Sequence, residues 1–165
     1  MDYRIEKKDG FTLVCKKKQV NHPQGDTATE DISAFWNEVS TSGAMDAICK
    51  YGRFDTLHGV LGICFSDEMS DSAFPYGIGA EYNGAPMNGE GLDSVEIPAY
   101  TYAVFQCRGK MPDAFRDTYH KIITEFFPQR NYEYGQGVEL EVYPSADVQD
   151  PNYACEIWVA VKEKK

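Results

Sequence analysis

The sequence predicts an α+β fold made of two βαββ modules, and three observations carry that expectation. The order strand, helix, strand, strand occurs twice along the 165 residues. Each helical segment shows a single apolar stripe, the pattern of a helix lying on a sheet. The connections between the closing strands of each half, around Ser66 to Pro75 and Pro144 to Asn152, are short, which favours antiparallel hairpins over parallel crossovers.

In the first half, Phe11 to Lys17 reads as a strand and Asp31 to about Tyr51 as helix. Ile32, Phe35, Trp36 and Val39 fall at i, i+3, i+4 and i+7, with Thr29 or Asp31 placed to cap the helix. Ser40-Thr41-Ser42-Gly43 should break it, with Ala44 to Tyr51 continuing as a second helical piece. Gly59 to Phe65 and Tyr76 to Tyr82 close this half as strands. Gly84, Pro86, Gly89 and Gly91 mark a linker, so half-modules of about 1–83 and 92–165 are expected within one domain. The second half repeats the order, with a strand from Tyr100 to Cys107 and a helix from Asp113 to Phe127 between Pro112 and Pro128. That helix carries Phe115, Tyr119, Ile122 and Phe126 on one face, and strands from Val138 to Tyr143 and Tyr153 to Val161 follow. A joint between two such modules is a common place for a small-molecule pocket.

Composition narrows the function. A net charge of -10 argues against a nucleic-acid partner, which needs a basic surface. No apolar leader and no run of about 18 apolar residues occurs, so a soluble, cytoplasmic protein without a membrane partner is expected. The five cysteines lack any CxxC spacing and read as small buried hydrophobes, and His22, His58 and His120 form no ligand pattern. No metal or cofactor is therefore expected. GxSxG and phosphate-loop contexts are missing as well.

What remains is a set of carboxylates beside aromatic rings. In Cys155-Glu156-Ile157-Trp158-Val159-Ala160-Val161, alternation puts Glu156, Trp158 and Ala160 on one face and Ile157, Val159 and Val161 on the other. A carboxylate beside apolar surface is costly to desolvate unless compensated, and a flat cationic ligand would compensate it. In the preceding strand Glu139, Glu141 and Tyr143 share a face opposite Val138, Leu140 and Val142. Glu139 reads as ordinary polar surface, Glu141 as a second candidate. Eleven Tyr, nine Phe and two Trp supply ring surface; Tyr102 belongs to a face shared with Tyr100, Tyr143 and Trp158 are expected on a common surface, and Trp36 has two readings, core filling on its helix stripe or an indole at the stripe's edge that roofs a pocket. The expected ligand-binding set is Glu156, Trp158, Tyr143, Glu141, Tyr102 and Trp36. No catalytic residue is assigned; a hydrolase on this scaffold would use Glu156 as general acid or base.

Leu140-Glu141-Val142-Tyr143-Pro144 and Cys155 to Lys162 resemble the end of a GyrI-like domain, the effector-binding domain of certain AraC-type and MerR-type regulators, here in stand-alone form. The duplicated βαββ order from about Phe11 to Lys162 agrees with that bacterial-type family's architecture. The resemblance implies a pocket at the pseudo-two-fold junction for lipophilic, cationic aromatic compounds, with Glu156 matched to the glutamate at its base. It also implies alternatives, namely a hydrolase of cyclopropane-bearing genotoxins or a protein inhibitor of DNA gyrase, the last needing a protein partner. Two departures stand out. Ala160 replaces a proline common in the motif, and no helix-turn-helix precedes the first predicted strand. A binding or sequestration module is thus expected rather than a transcription factor.

Overall fold

β-Branched and aromatic runs, broken by Gly, Pro and polar turns, fold here into strands whose faces are settled by what covers each side. The computed structural model describes residues 2–21, 27–65, 68 and 73–165; His22 and most of the connection from Ser66 to Pro75 lie outside them. In chain order the elements are β1 (Tyr3–Lys8), β2 (Phe11–Asn21), α1 (Thr27–Thr41), α2 (Ala44–Tyr51), β3 (Gly52–Arg53), β4 (Val60–Cys64) and β5 (Ala73–Tyr82). There follow β6 (Asp93–Ile97), β7 (Tyr100–Arg108), α3 (Asp113–Lys121), a π-helical turn (Ile122–Phe126), α4 (Phe127–Gln129), β8 (Tyr132–Tyr134), β9 (Glu139–Tyr143) and β10 (Ala154–Glu163).

The strands form one sheet in the order β1-β7-β10-β9-β4-β5-β2-β6, with β3 beside β5 and β8 beside β10. Every pairing is antiparallel, so the α+β class expected from the short connections holds. Four strands were not legible in the sequence, the short β3 and β8 and the longer β1 and β6. β1 pairs with β7 and β6 with β2, although each directly precedes the other's partner in the chain. Only Asp9-Gly10 joins β1 to β2 and only Pro98-Ala99 joins β6 to β7. A two-residue link spans roughly 10 Å at most, so the two ends of the sheet curl toward each other, although β1 and β6 do not pair.

Curling gives the sheet an inner and an outer face. Leu13, Leu61, Ile63, Tyr102, Val104, Leu140, Val142 and Trp158 fill the inner face. On the outer face α1 and α2 cover β2 and β5 through Phe35, Val39, Ile48 and Tyr51. Ile122 and Phe126 of the π-helical turn, with Ala114 of α3, cover β7 and β10. The helix stripes anticipated from spacing are the contacts made. α1 begins at Thr27, so neither Thr29 nor Asp31 caps it, and Gly43 at φ 85° makes the expected break before α2. The second helix widens where the Phe127 N–H reaches back five residues to Ile122, just ahead of Pro128, which has no N–H for a regular turn.

One buried ion cluster fastens the curl. Glu81 of β5 is 6% exposed and takes Lys8 Nζ at 3.2 Å, Thr56 Oγ1 at 2.9 Å and Arg53 Nε at 3.4 Å. Lys8 ends the edge strand β1 and Glu81 lies on β5, five places along the strand order, so the pair links strands that the curl brings together. Glu81→Ala strands a poorly solvated ammonium and should destabilise the fold by about 2–4 kcal/mol in urea denaturation, whereas exposed Glu96→Ala should change it by less than about 0.5 kcal/mol. Equal effects would show that the cluster does not hold the edges.

Candidate functional site

The two helical layers leave a seam between them, over the pair β4–β9. Register sets what lines it. Val60 pairs with Tyr143, Gly62 with Glu141 and Cys64 with Glu139, and alternation turns these residues outward while Leu61, Ile63, Leu140 and Val142 point into the inner core. Glu141 is partly buried, and its Oε1 accepts from the Tyr143 hydroxyl at 2.7 Å and from the Tyr76 hydroxyl at 2.9 Å. Gly62 is required opposite it, because a Cβ there would overlap the Tyr76 hydroxyl and the Glu141 carboxylate. Trp36 of α1 donates its Nε1 proton to the Tyr76 hydroxyl at 3.0 Å and meets the Tyr143 ring edge-on at 5.3 Å. From the other side, Tyr119 of α3 reaches Glu139 Oε2 at 3.2 Å and stacks on Phe115.

Electrostatics distinguish this seam from the rest of the surface. Among the described residues no Lys or Arg pairs with Glu139 or Glu141. Burial pushes the Glu141 carboxyl up, against the two tyrosine hydrogen bonds, and pushes the Tyr76 and Tyr143 phenols far up, helped by the Glu141 charge. The tyrosines are therefore neutral donors. Burial raises Glu139 to about 7, opposed by its Tyr119 hydrogen bond and assisted by the charge of Glu141. No cluster of three His, Cys, Asp or Glu side chains that would hold a metal occurs among the described residues.

The six residues expected to bind ligand divide between the two faces. Glu141, Tyr143 and Trp36 converge in the seam. Glu156, Trp158 and Tyr102 face the inner side, because Glu156 pairs with Val142 and Gln106, Trp158 with Leu140 and Val104, and Tyr102 with Ala160. The expectation of a common surface for Tyr143 and Trp158 is thereby corrected. Both faces of β10 are covered, so alternation alone could not say which one meets the seam. Glu156 also has its own cation: Arg4 at 2.8 Å, with Gln106 at 2.8 Å and the Trp158 indole N–H at 3.1 Å. Partial burial raises its carboxyl, but the Arg4 and Trp158 hydrogen bonds and the Arg4 charge outweigh that, and the net shift is downward. A carboxylate so held is unsuited to the raised-pKa acid expected of it. Tyr102 and Trp158 touch at 5.6 Å inside the core.

Sequence reasoning passed over Tyr76, Tyr119, Glu139, Gly62 and Cys64. In the sequence Tyr119 reads as part of its helix stripe and Glu139 as outer polar surface, and the parity of Glu139 with Glu141 is the available signal. Nothing local marks Tyr76. The cysteines are also not uniformly buried: Cys15, Cys107 and Cys155 are, Cys49 is exposed, and Cys64 is half-buried in the seam. Two open depressions lie elsewhere, one rimmed by Glu6, Lys8, Arg53, Glu81 and Trp158, the other by Tyr100, Tyr132 and Lys162, and neither is lined by Glu141. The seam is filled by its own rings.

The structure thus combines a curled antiparallel sheet, helices on one face and an acidic, ring-lined seam between them. The family model described as integron-associated effector binding protein matches residues 4–161, and the chain belongs to that GyrI-like family. No curated protein gives a significant match. Among solved structures, SAV2435 bound to tetraphenylphosphonium superposes with a TM-score of 0.80 at 22% identity, covering 98% of this chain and 94% of that one. The integron cassette protein VCH_CASS2 from the mobile metagenome of Vibrio cholerae gives 0.67 at 18%, covering 97% and 95%. The C-terminal domain of EcmrR gives 0.62 at 16%, covering 98% of each. These likenesses establish the fold. No helix among the described residues is long and apolar enough to cross a membrane.

Tyr119, Tyr134, Cys64 and Glu141 are the titratable groups around Glu139. Its folded pKa of about 7 lies above the ordinary 4.5, so the unfolded chain loses this proton first and stability falls as pH rises from 4.5 to about 7. Glu139→Gln should abolish that part of the slope and exceed the parent's stability at pH 8 by about 1–2 kcal/mol in urea melts. An unchanged slope would contradict the assignment.

Proposed function

We propose that the protein binds lipophilic, aromatic organic cations in the seam, with Glu141 as the counter-charge and Trp36, Tyr76, Tyr143 and Tyr119 as ring surface. The observation that carries this reading is the Glu141 carboxylate, held by two phenols and without a Lys or Arg partner among the described residues. A carboxylate desolvated without a counter-ion is unfavourable, and a bound cation relieves that cost where water cannot. Bulky ring-bearing cations carry a delocalised, weakly hydrated charge and apolar area together, so they lose little on leaving water and gain cation–π and stacking contacts. Membership of an effector-binding family supports the reading, as does a tetraphenylphosphonium-bound protein of the same fold.

On this reading each seam residue has a role. The Tyr76 and Tyr143 hydroxyls fix the carboxylate and take part of its charge, so an arriving cation meets an oriented partner. The Trp36 indole packs on Tyr143 and bonds to Tyr76, so a ligand reaches Glu141 by displacing that ring and replacing its contacts with its own. Glu156, neutralised by Arg4, offers no such charge. The module holds its ligand as an intact cation and needs no catalytic group to do so.

Titration with tetraphenylphosphonium, read by tryptophan fluorescence, tests the reading. Glu141→Gln should weaken binding about tenfold or more, the order expected for removing a buried counter-charge, while Glu156→Gln should stay within about twofold. Loss of binding in the Glu156 variant with retention in the Glu141 variant would move the site to the inner face.

A further inference from the structure

Glu141 is not alone on its face of β9. Glu139 stands two residues earlier on that face, which places the two carboxylates roughly 7 Å apart along the strand. Each is held from a different wall: Glu141 by Tyr76 and Tyr143, Glu139 by Tyr119 of α3. Across the β4–β9 pairing they face Gly62 and Cys64, both small, so opposite the two carboxylates the strand itself raises no bulky side chain and the space above is taken by the rings that a ligand would displace. Flat rings flank both ends, Trp36 edge-on to Tyr143 on one side and Phe115 stacked on Tyr119 on the other.

Resting on the cation-binding reading of this seam, we propose that its preferred ligand class is a flat aromatic dication whose two positive centres are separated by about one strand repeat, roughly 7 Å. One centre lies over Glu141 and the other over Glu139, with the ring system between the Trp36 and Phe115–Tyr119 walls. Bis-pyridinium and short bis-amidinium compounds have this chemistry. A monocation leaves the second carboxylate in a poorly solvated place without a counter-charge, and that group then keeps its proton; a dication uses both. Glu139 already titrates near neutrality, with Tyr119, Tyr134, Cys64 and Glu141 around it, so its ionisation is open to such a ligand.

The test uses a matched pair of probes with the same outline, 1,1'-dimethyl-4,4'-bipyridinium (two charges) and 1-methyl-4-phenylpyridinium (one charge), measured by isothermal titration calorimetry. The wild-type protein should bind the dication about tenfold or more tightly than the monocation. Glu139→Gln should bring the two within about twofold while leaving the monocation nearly unchanged, and Glu141→Gln should weaken both. Equal affinities in the wild type, or a dication preference that survives Glu139→Gln, overturns the proposal. If Glu141→Gln weakens both probes and no preference exists, only the dication proposal fails. If Glu141→Gln leaves both untouched, the cation-binding reading fails with it.

Discussion

A carboxylate held by two phenols, in a strip that the helices cover only from the sides, is the interaction around which this protein is arranged. Bringing Glu141 out of bulk water costs several kcal/mol unless hydrogen bonds and a counter-charge compensate it. Tyr76 and Tyr143 supply the hydrogen bonds. Their positions require Gly62 across the strand pair and the Trp36 indole behind the Tyr76 hydroxyl. Changing any member of the group disturbs the others, because they share one hydrogen-bonded oxygen and one small volume.

The sheet explains why the strip exists. Helices from the two halves cover the outer strands on either side, and the central pair β4–β9 falls where neither layer reaches fully. The exchanged edge strands β1 and β6 tie the halves together at the opposite ends of the strand order, and the Lys8–Glu81 pair adds a charged link from β1 across the curl to β5. The inner face can then be filled with apolar side chains, leaving polar chemistry to the seam and the rim.

Much of this was legible in the sequence, and the reasons for the remainder are physical. The helix stripes through Phe35, Val39, Ile122 and Phe126 announced which faces would pack. Alternation correctly grouped Glu139, Glu141 and Tyr143. It could not tell that Glu156 has a cation partner and Glu141 none among the described residues, because β10 is covered on both faces and a polar residue on either reads alike in one dimension. Arg4, which neutralises Glu156, lies 152 residues away on a strand whose charged composition hid it. β6 was missed for a similar reason, since an edge strand with mostly exposed side chains carries little apolar signal. Tyr76 and Tyr119 reach the seam only through register and packing between distant elements.

A crystal structure of the protein with tetraphenylphosphonium is the most direct measurement of the central claim. The account predicts the phosphorus in the β4–β9 seam, within about 6 Å of the Trp36 and Tyr143 rings and facing the Glu141 carboxylate, with the indole moved off Tyr76. A ligand seated instead on the inner face beside Glu156 and Trp158, with Glu141 still covered by its tyrosines, would contradict it.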